Sequence, residues 1–425
     1  MLTSQGDHIA KGLIRFANGV RLGATGLKAL KLHTANCYGF DKLNIDDRLA
    51  KIEDLVPEIM EVNNNNVAVK LLRNADEPMT FYAAACELRS ALLLEDPKTF
   101  VSHIPVAVDG VCNGLQVLSL LGKDQVGAEK TNCTSGADRQ DLYMEVAKAM
   151  REIVESIIDQ GSGNEEWEAA VAWYEHIQHD KLARATVKRS TMTKSYGVTK
   201  EGIREQLVSD RHCDNLVIPD SMSELPILTA RHRLAGYMRD WIMKAQESSV
   251  AEAVKIMDYF KACSKKLGEE DYAMSWVTHD GCEVKQEYIV IKDRLVRTFD
   301  NWMRRLRKRT DDLSQRQNAN AAAPNVVHSL DATMARLVAL RLSNCGITDM
   351  AFIHDSYAVH AAHLDDLNII IREVAVEMFE GNWLNDQFHK GLLDLTNDEV
   401  ELPNPPQQGS LNVGASIPNA TYFFS

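Results

Sequence analysis

The 425-residue sequence has no run of about 18 apolar residues, so no helix is expected to span a bilayer. Its opening stretch, Met1 to Gly12, has neither the apolar core of a secretory signal nor the arginines of a transit peptide. Its eight cysteines (Cys37, Cys86, Cys112, Cys133, Cys213, Cys263, Cys282 and Cys345) are scattered. None forms a Cys-x-x-Cys pair, and no Cys/His set has zinc-finger spacing, so reduced thiols in a cytosolic protein are expected. A general excess of cations is missing too. The net charge of −13 excludes a surface that binds phosphates everywhere. There is no internal repeat and no long low-complexity segment.

Apolar residues make up 45% of the chain and charged residues 25%, the balance of a soluble globular protein. The length predicts two or three domains. Helical periodicity dominates. Tyr143, Val146, Met150, Ile153 and Ile157 form an apolar stripe closed by the breaker Gln160-Gly-Ser-Gly-Asn. Residues 227–266 read as one or two long helices. Loops are expected at residues 63–66, 217–226, 315–324 and 402–409. Short strands are expected at 104–108 and 350–353. The cations that do exist are concentrated in two places, Lys188-Arg189 to Lys194 and Arg304 to Arg309.

Both strand candidates end in a carboxylate: Ile104-Pro-Val-Ala-Val-Asp109-Gly110 and Phe352-Ile353-His354-Asp355-Ser356. An Asp at the end of a buried strand is poorly solvated and calls for a cation. Two such ends brought together can hold Mg²⁺, which takes one or two carboxylates plus water and phosphate oxygens. Taken singly, each Asp is equally a strand-ending turn.

The segment Arg184-Ala-Thr-Val-Lys188-Arg-Ser-Thr-Met192-Thr-Lys-Ser-Tyr196-Gly197 has no proline. On a helix, Arg184, Lys188, Met192 and Tyr196 drift about 40° per step and stay on one face. Arg184 and Tyr196 would then lie roughly 18 Å apart, close to the length of a nucleoside triphosphate. Two cations suit phosphates, a ring suits a base or sugar, and Gly197 admits a close backbone or base. Alone, an Arg-x3-Lys pair is more often a solvated surface feature.

Together the three segments resemble motifs A, B and C of the phage-type single-subunit RNA polymerases, in order and spacing. The segments 5–12, 33–42, 276–281 and 323–329 are similar to the same family, so the resemblance covers essentially the whole sequence. It implies an α+β, mainly helical fold. This is a right-hand polymerase palm with a small antiparallel sheet, plus fingers, without the family's N-terminal domain and thumb. The implied boundaries are palm at 1–125, fingers with a shortened specificity-loop region at 126–325, palm again at 326–401, and a C-terminal foot at 402–425.

Roles follow from the resemblance, position by position. Asp109, Asp355 and Lys188 are implied as catalytic, with Asp109, Asp355 and the Gly110 carbonyl as ligands of two Mg²⁺ ions. Arg184, Lys188 and Lys42 are implied as triphosphate contacts. Tyr196, Gly197, Tyr143, Gly114 and His328 are implied at the nucleotide, His328 at its 2′-hydroxyl. Gly114 stands where related DNA polymerases carry a bulky Glu, so ribonucleotide selection is expected. Arg304, Arg305, Arg307, Lys308, Arg309 and His354 are implied as nucleic-acid contacts. Leu330 replaces a polar residue, and a template or primer contact is expected to be lost there. The terminal Tyr422-Phe423-Phe424 is expected to fold back toward the site or to pack on the core.

The expected function is template-directed addition of ribonucleotides to an RNA 3′-hydroxyl. A non-catalytic scaffold, a primase and a DNA polymerase are the alternatives. The missing N-terminal domain, thumb and upstream Gly-Arg motif are expected from a second polypeptide, as in the split, heterodimeric polymerases of the N-four-like phages. DNA template, RNA product and rNTPs are the other expected partners, with a single-stranded-DNA-binding or promoter-recruiting factor. The cytoplasm of an infected bacterium is the expected setting.

Overall fold

The computed structural model describes residues 8–136 and 138–425. Residues 5–7 of the family-like opening segment lie outside the described residues. The chain is mainly helical, with small antiparallel sheets. Two apolar clusters organise it. The smaller gathers the helices Gly23–Ala35, Ile45–Met60, Asn65–Asn74 and Pro78–Leu92 around buried Leu30, Ile52, Ile59, Phe81 and Leu88. Asn44 and Asn64 cap two of these helices by accepting the Asp47 and Asn66 amides. Each such cap stabilises its helix by about 1 kcal/mol.

The larger cluster packs the helices Leu142–Asp159, Glu165–Gln178, Asp180–Met192, Ile227–Ser249, Ala251–Glu269, Gln315–Asn344 and Leu364–Phe379. Trp173, Trp241 and Phe260 are fully buried in it. The Trp173 indole N–H donates to the Leu234 carbonyl at 3.1 Å, so even this deep ring keeps its polar atom satisfied. The two helices expected in 227–266 are thus present, joined at Val250.

Between the clusters lies a three-stranded sheet of β1 (Pro105–Asp109), β2 (Met350–Ile353) and β3 (Ser356–His360). Its order is β1-β3-β2, antiparallel throughout. Val106 belongs to the smaller core and Val108 to the larger, so β1 ties the two together. Tyr357 and Val359 of β3 are fully buried. Ala358 and His360 on the other face are buried as well, so β3 is enclosed on both sides.

Two expectations fail here. Tyr196 is not on the cationic helix, which stops at Met192; residues 193–197 form turns that end at Gly197 with φ 71°. The stretch 315–324 is helix, not loop. It opens the 30-residue helix Gln315–Asn344, with Pro324 inside. The Asn318 side chain anchors that start by donating to the Tyr288 and Ser314 carbonyls and accepting the Tyr288 amide. In the region expected as a shortened specificity loop, the basic run is the second strand of a β-hairpin, Ile289–Arg297 paired with Met303–Leu313. Leu330 is fully buried in the larger core. Among the described residues, all eight cysteines are free, and no helix is long and apolar enough to cross a membrane.

Candidate active site

The sheet register brings the two carboxylates together. Asp109 pairs with Ser356, the residue after Asp355, and the Gly110 amide donates to the Asp355 carbonyl at 3.2 Å. His354 and Asp355 form the tight connection between β2 and β3, where Ile353 pairs with Ser356. His354 there has φ 54°, and Cys112, three residues past Asp109, also has φ 54°. Non-glycine residues seldom hold this conformation, and such backbone clusters at functional sites. His354 and Asp109 are exposed and Asp355 is half-buried.

The electrostatics are those of an anionic site short of cations. Burial, followed by the nearby carboxylates of Asp331 and Asp109, raises Asp355 to about 6 from its ordinary 3.8. Asp331 is raised as well, chiefly by burial, against a bond from Asn113 and the charges of His328 and His354. Asn113 Nδ2 donates to Asp331 Oδ1 at 2.6 Å. Sequence reasoning missed both residues. The signal was available, because Asp331 lies one helical turn after His328 and so shares its side of the helix.

The aromatic wall is assembled from two distant segments. Tyr196 stacks on His328 with centroids 4.6 Å apart and planes 21° from parallel. The Tyr196 phenol is raised by burial and then by the charges of Asp355 and Asp331. His328 is held below its ordinary value, first by burial. Gly114 is buried under this wall. A Cβ there would sit 2.8 Å from Ser195 Cβ and 3.3 Å from Tyr196 Cζ. The glycine is therefore required by the approach of the 195–196 turn, a packing reason beside the expected open ribose space. At Gly197 a Cβ would lie 3.2 Å from Pro324 Cγ and 3.4 Å from the Asn320 carbonyl oxygen. Pro324 has no N–H to give that carbonyl, so a close backbone does approach Gly197, as expected for this position.

The cations are arranged by a residue that sequence reasoning also missed. Asp141 Oδ1 caps the Leu142–Asp159 helix by accepting the Tyr143 and Met144 amides at 3.1 and 3.2 Å. Its Oδ2 accepts Arg184 Nε at 2.5 Å. The Arg184 guanidinium lies 5.1 Å from the centre of the Tyr143 ring. Tyr143 is buried, and burial pushes the nearby Cys112 thiol up to about 11. Lys188, one turn further along, is exposed and has no ion-pair partner among the described residues. Lys42 is exposed on a loop held by buried Arg48, which donates to the Asp41 and Leu43 carbonyls at 2.6 and 2.8 Å. Arg139 donates to the same Asp41 carbonyl, linking this loop to the segment that carries Asp141.

The chain end closes the site from below. Phe424 bridges to Gly110, and the Ser425 amide donates to the Asp109 carbonyl at 3.2 Å. Gln116 Nε2 donates to the Phe423 carbonyl at 3.0 Å, and Phe424 stacks on Tyr357. The tail is thus both buried and beside the carboxylates. The hairpin residues Arg304, Arg305, Arg307, Lys308 and Arg309 make no hydrogen bond or ion pair to the carboxylate cluster among the described residues. They pair, where they pair, with Asp300 and Asp293.

Residues 20–398 match the profile of DNA-dependent RNA polymerases. The chain is 31% identical to the protein named mitochondrial DNA-directed RNA polymerase 1 of Arabidopsis thaliana, over 100% of this chain and 42% of that protein. It is 31% identical to the chloroplastic DNA-directed RNA polymerase 3B of Nicotiana tabacum, over 98% of this chain and 41% of that one. It is 29% identical to the mitochondrial DNA-directed RNA polymerase of Schizosaccharomyces pombe, over 99% and 38%. The chain spans about two fifths of the length of these curated relatives.

Proposed function

Because the chain belongs to the phage-type DNA-dependent RNA polymerase family, we propose that it carries the nucleotidyl-transfer centre of a DNA-directed RNA polymerase. The reaction joins a ribonucleoside monophosphate to an RNA 3′-hydroxyl on a DNA template, and pyrophosphate leaves. The observation that carries this reading is the sheet register that sets Asp109 and Asp355 at one end of β1 and β3. In this reading the sheet and its carboxylates are the palm, and the Arg184–Lys188 helix with Tyr196 belongs to the fingers.

The donor set fits Mg²⁺. Asp355 is short of positive charge, and Asp109 stands exposed beside it. Among the described residues no three His, Cys, Asp or Glu side chains converge as a complete cage. Mg²⁺ needs none, since water and substrate phosphates complete its shell. Asp109, Asp355 and the Gly110 carbonyl would hold two such ions, which activate the attacking hydroxyl and stabilise the leaving oxygen.

The protein's own residues position and neutralise. Asp141 holds Arg184 through Nε, so the terminal guanidinium nitrogens remain for a triphosphate. Lys188 and Lys42, both exposed, add charge at that end. Tyr196 and His328 present a stacked wall to base and sugar, and a His328 nitrogen can bond a 2′-hydroxyl. Rejecting a sugar that lacks this hydroxyl follows from leaving that nitrogen unpaired. Catalysis is then alignment plus charge stabilisation. The hairpin cations Arg304 to Arg309 and His354 serve nucleic-acid phosphates.

A second polypeptide as partner belongs to the proposal and rests on the resemblance to the split phage enzymes. So does the bacteriophage setting, since the relatives above are named mitochondrial and chloroplastic. The test is extension of an RNA primer on a DNA template with Mg²⁺, by the chain with any co-purifying protein. Extension with rNTPs, weak extension with dNTPs, and loss of several orders of magnitude in Asp355→Ala are expected. Near-normal turnover by Asp355→Ala would sink the mechanism, and equal use of dNTPs would sink the sugar selection.

A further inference from the structure

The hairpin Ile289–Leu313 stands out from the body. Its strands pair only with each other. Along Ile291–Arg309 every strand residue but Val296 is exposed. The tip that joins them is a built turn. The Thr298 amide donates to the Trp302 carbonyl at 2.9 Å, and the Asn301 amide donates to the Thr298 carbonyl at 2.9 Å with Asn301 at φ 62°. The Thr298 hydroxyl also lies against the Asp300 carboxylate and the Trp302 carbonyl. This turn presents two large rings to solvent, Phe299 at 103% exposure and Trp302 at 70%. Leu295, Met303 and Leu306 behind them are also exposed. Exposed apolar surface gathered in this way marks an interaction site.

The shaft below the rings is cationic on both faces. Arg305, Arg307 and Arg309 share one face of the second strand, each step about 6.8 Å at two residues per step. Asp293 is their nearest counter-charge, at 3.5 Å from Arg305 and 3.9 Å from Arg307. On the other face Lys292 stands directly opposite Lys308. Like charges placed so are destabilising, and a two-stranded ribbon is marginal to begin with. The segment holds eight cations against four carboxylates, in a chain whose net charge is −13. The ribbon therefore matches a polyanion that also offers flat apolar faces. Intact duplex DNA supplies the phosphates but keeps its base faces stacked inside. An acidic protein supplies charge but no planar bases. A single strand supplies both at once.

We propose that this hairpin is a single-strand-binding element in which Phe299 and Trp302 stack on unpaired bases while the shaft cations hold the flanking phosphates. The proposal deepens the polymerase reading, in which unpaired bases occur in the exposed template strand and in the emerging RNA.

The test measures binding of the full chain, with any co-purifying protein, to three probes: a single-stranded DNA oligonucleotide carrying 2-aminopurine, the same sequence as RNA, and its blunt DNA duplex. Two variants are compared with the parent, F299A/W302A and R305A/R307A/R309A. Removing the rings should weaken single-strand binding by about tenfold or more and abolish quenching of 2-aminopurine. It should leave duplex binding and the dependence on salt unchanged. Removing the arginines should lower the slope of log Kd against log salt by about 2 for the single strands. A larger ring effect on DNA assigns the tip to the template, and a larger one on RNA assigns it to the product. Unchanged single-strand affinity and quenching in F299A/W302A would overturn the proposal, as would an equal loss on the duplex. Both rings are exposed, so an unchanged thermal midpoint verifies folding. Binding is read without polymerisation. Ring-dependent binding by a chain that fails to extend a primer would therefore refute the polymerase reading and leave this one standing.

Discussion

Substituting Asp355 by Asn should make the metal-free protein more stable at neutral pH while it destroys activity. In the folded chain, burial and then Asp331 and Asp109 raise the Asp355 carboxyl to about 6. In the unfolded chain it returns to about 3.9. The folded state therefore keeps its proton where the unfolded state has released it, and stability falls as pH rises from about 4 to about 6. Above that window the buried carboxylate costs about 3 kcal/mol, or about 2 kcal/mol after allowance for its partial exposure. Asn has the same shape and no charge to desolvate. With a chelator present, denaturant midpoints of the two proteins should coincide near pH 4 and separate by about 2 kcal/mol at pH 8, the variant being the more stable. Added Mg²⁺ should stabilise the parent at pH 8 and leave the variant nearly unmoved. A difference that stays flat with pH, or a variant less stable at pH 8, would refute the reasoning that Asp355 is an unmatched charge.

Two further outcomes follow from the packing. Gly114→Ala should destabilise by about 1–3 kcal/mol, because its methyl meets Ser195 and Tyr196, and Ser195→Gly in the same chain should return part of that loss; additive effects in the double-mutant cycle would deny the contact. Asp141→Ala should raise the nucleotide KM about tenfold, since Arg184 loses its orienting carboxylate and the Leu142–Asp159 helix loses its cap, whereas Asp141→Asn keeps the cap and should show which loss matters; an unchanged KM in both would remove Asp141 from the site.

The carboxylates were legible because each ends an apolar run, and an apolar run has few ways to stop at a charge without a reason. The antiparallel pairing of β1 with β3 then follows from burial of both. The resemblance pointed to a specificity loop here, but local periodicity did not show the hairpin's strands. A strand signal is an alternation of buried and exposed residues, and Ile289–Arg297 packs no face on a core, so Lys292, Asp293 and Arg294 follow one another without period. The start of the Gln315–Asn344 helix was hidden by Pro324 and by its asparagines, which favour loops in isolation. Asn318 instead spends its side chain on Tyr288 and Ser314, a tertiary tie that no local propensity contains. Tyr196 was placed on the wrong element for a related reason. The periodicity continued past Met192, but the close approach of Ser195 to Gly114 and of Gly197 to Pro324 required a turn.

Two aspartates in this chain define what is structural and what is functional. Asp280 lies against Arg336, whose Nε reaches it at 2.5 Å, and accepts the Thr278 hydroxyl; the hydrogen bond from Arg336 holds its carboxyl well below the ordinary range. Every charge there is answered within the fold. Arg184 pairs with Asp141, and among the described residues no arginine or lysine pairs with Asp355. Its neighbours are two more carboxylates, and Asp331 is met by the neutral amide of Asn113. A fold under pressure for stability alone would place a cation here, as it does at Asp280. In the proposed reading, divalent ions supply the positive charge that this carboxylate cluster lacks.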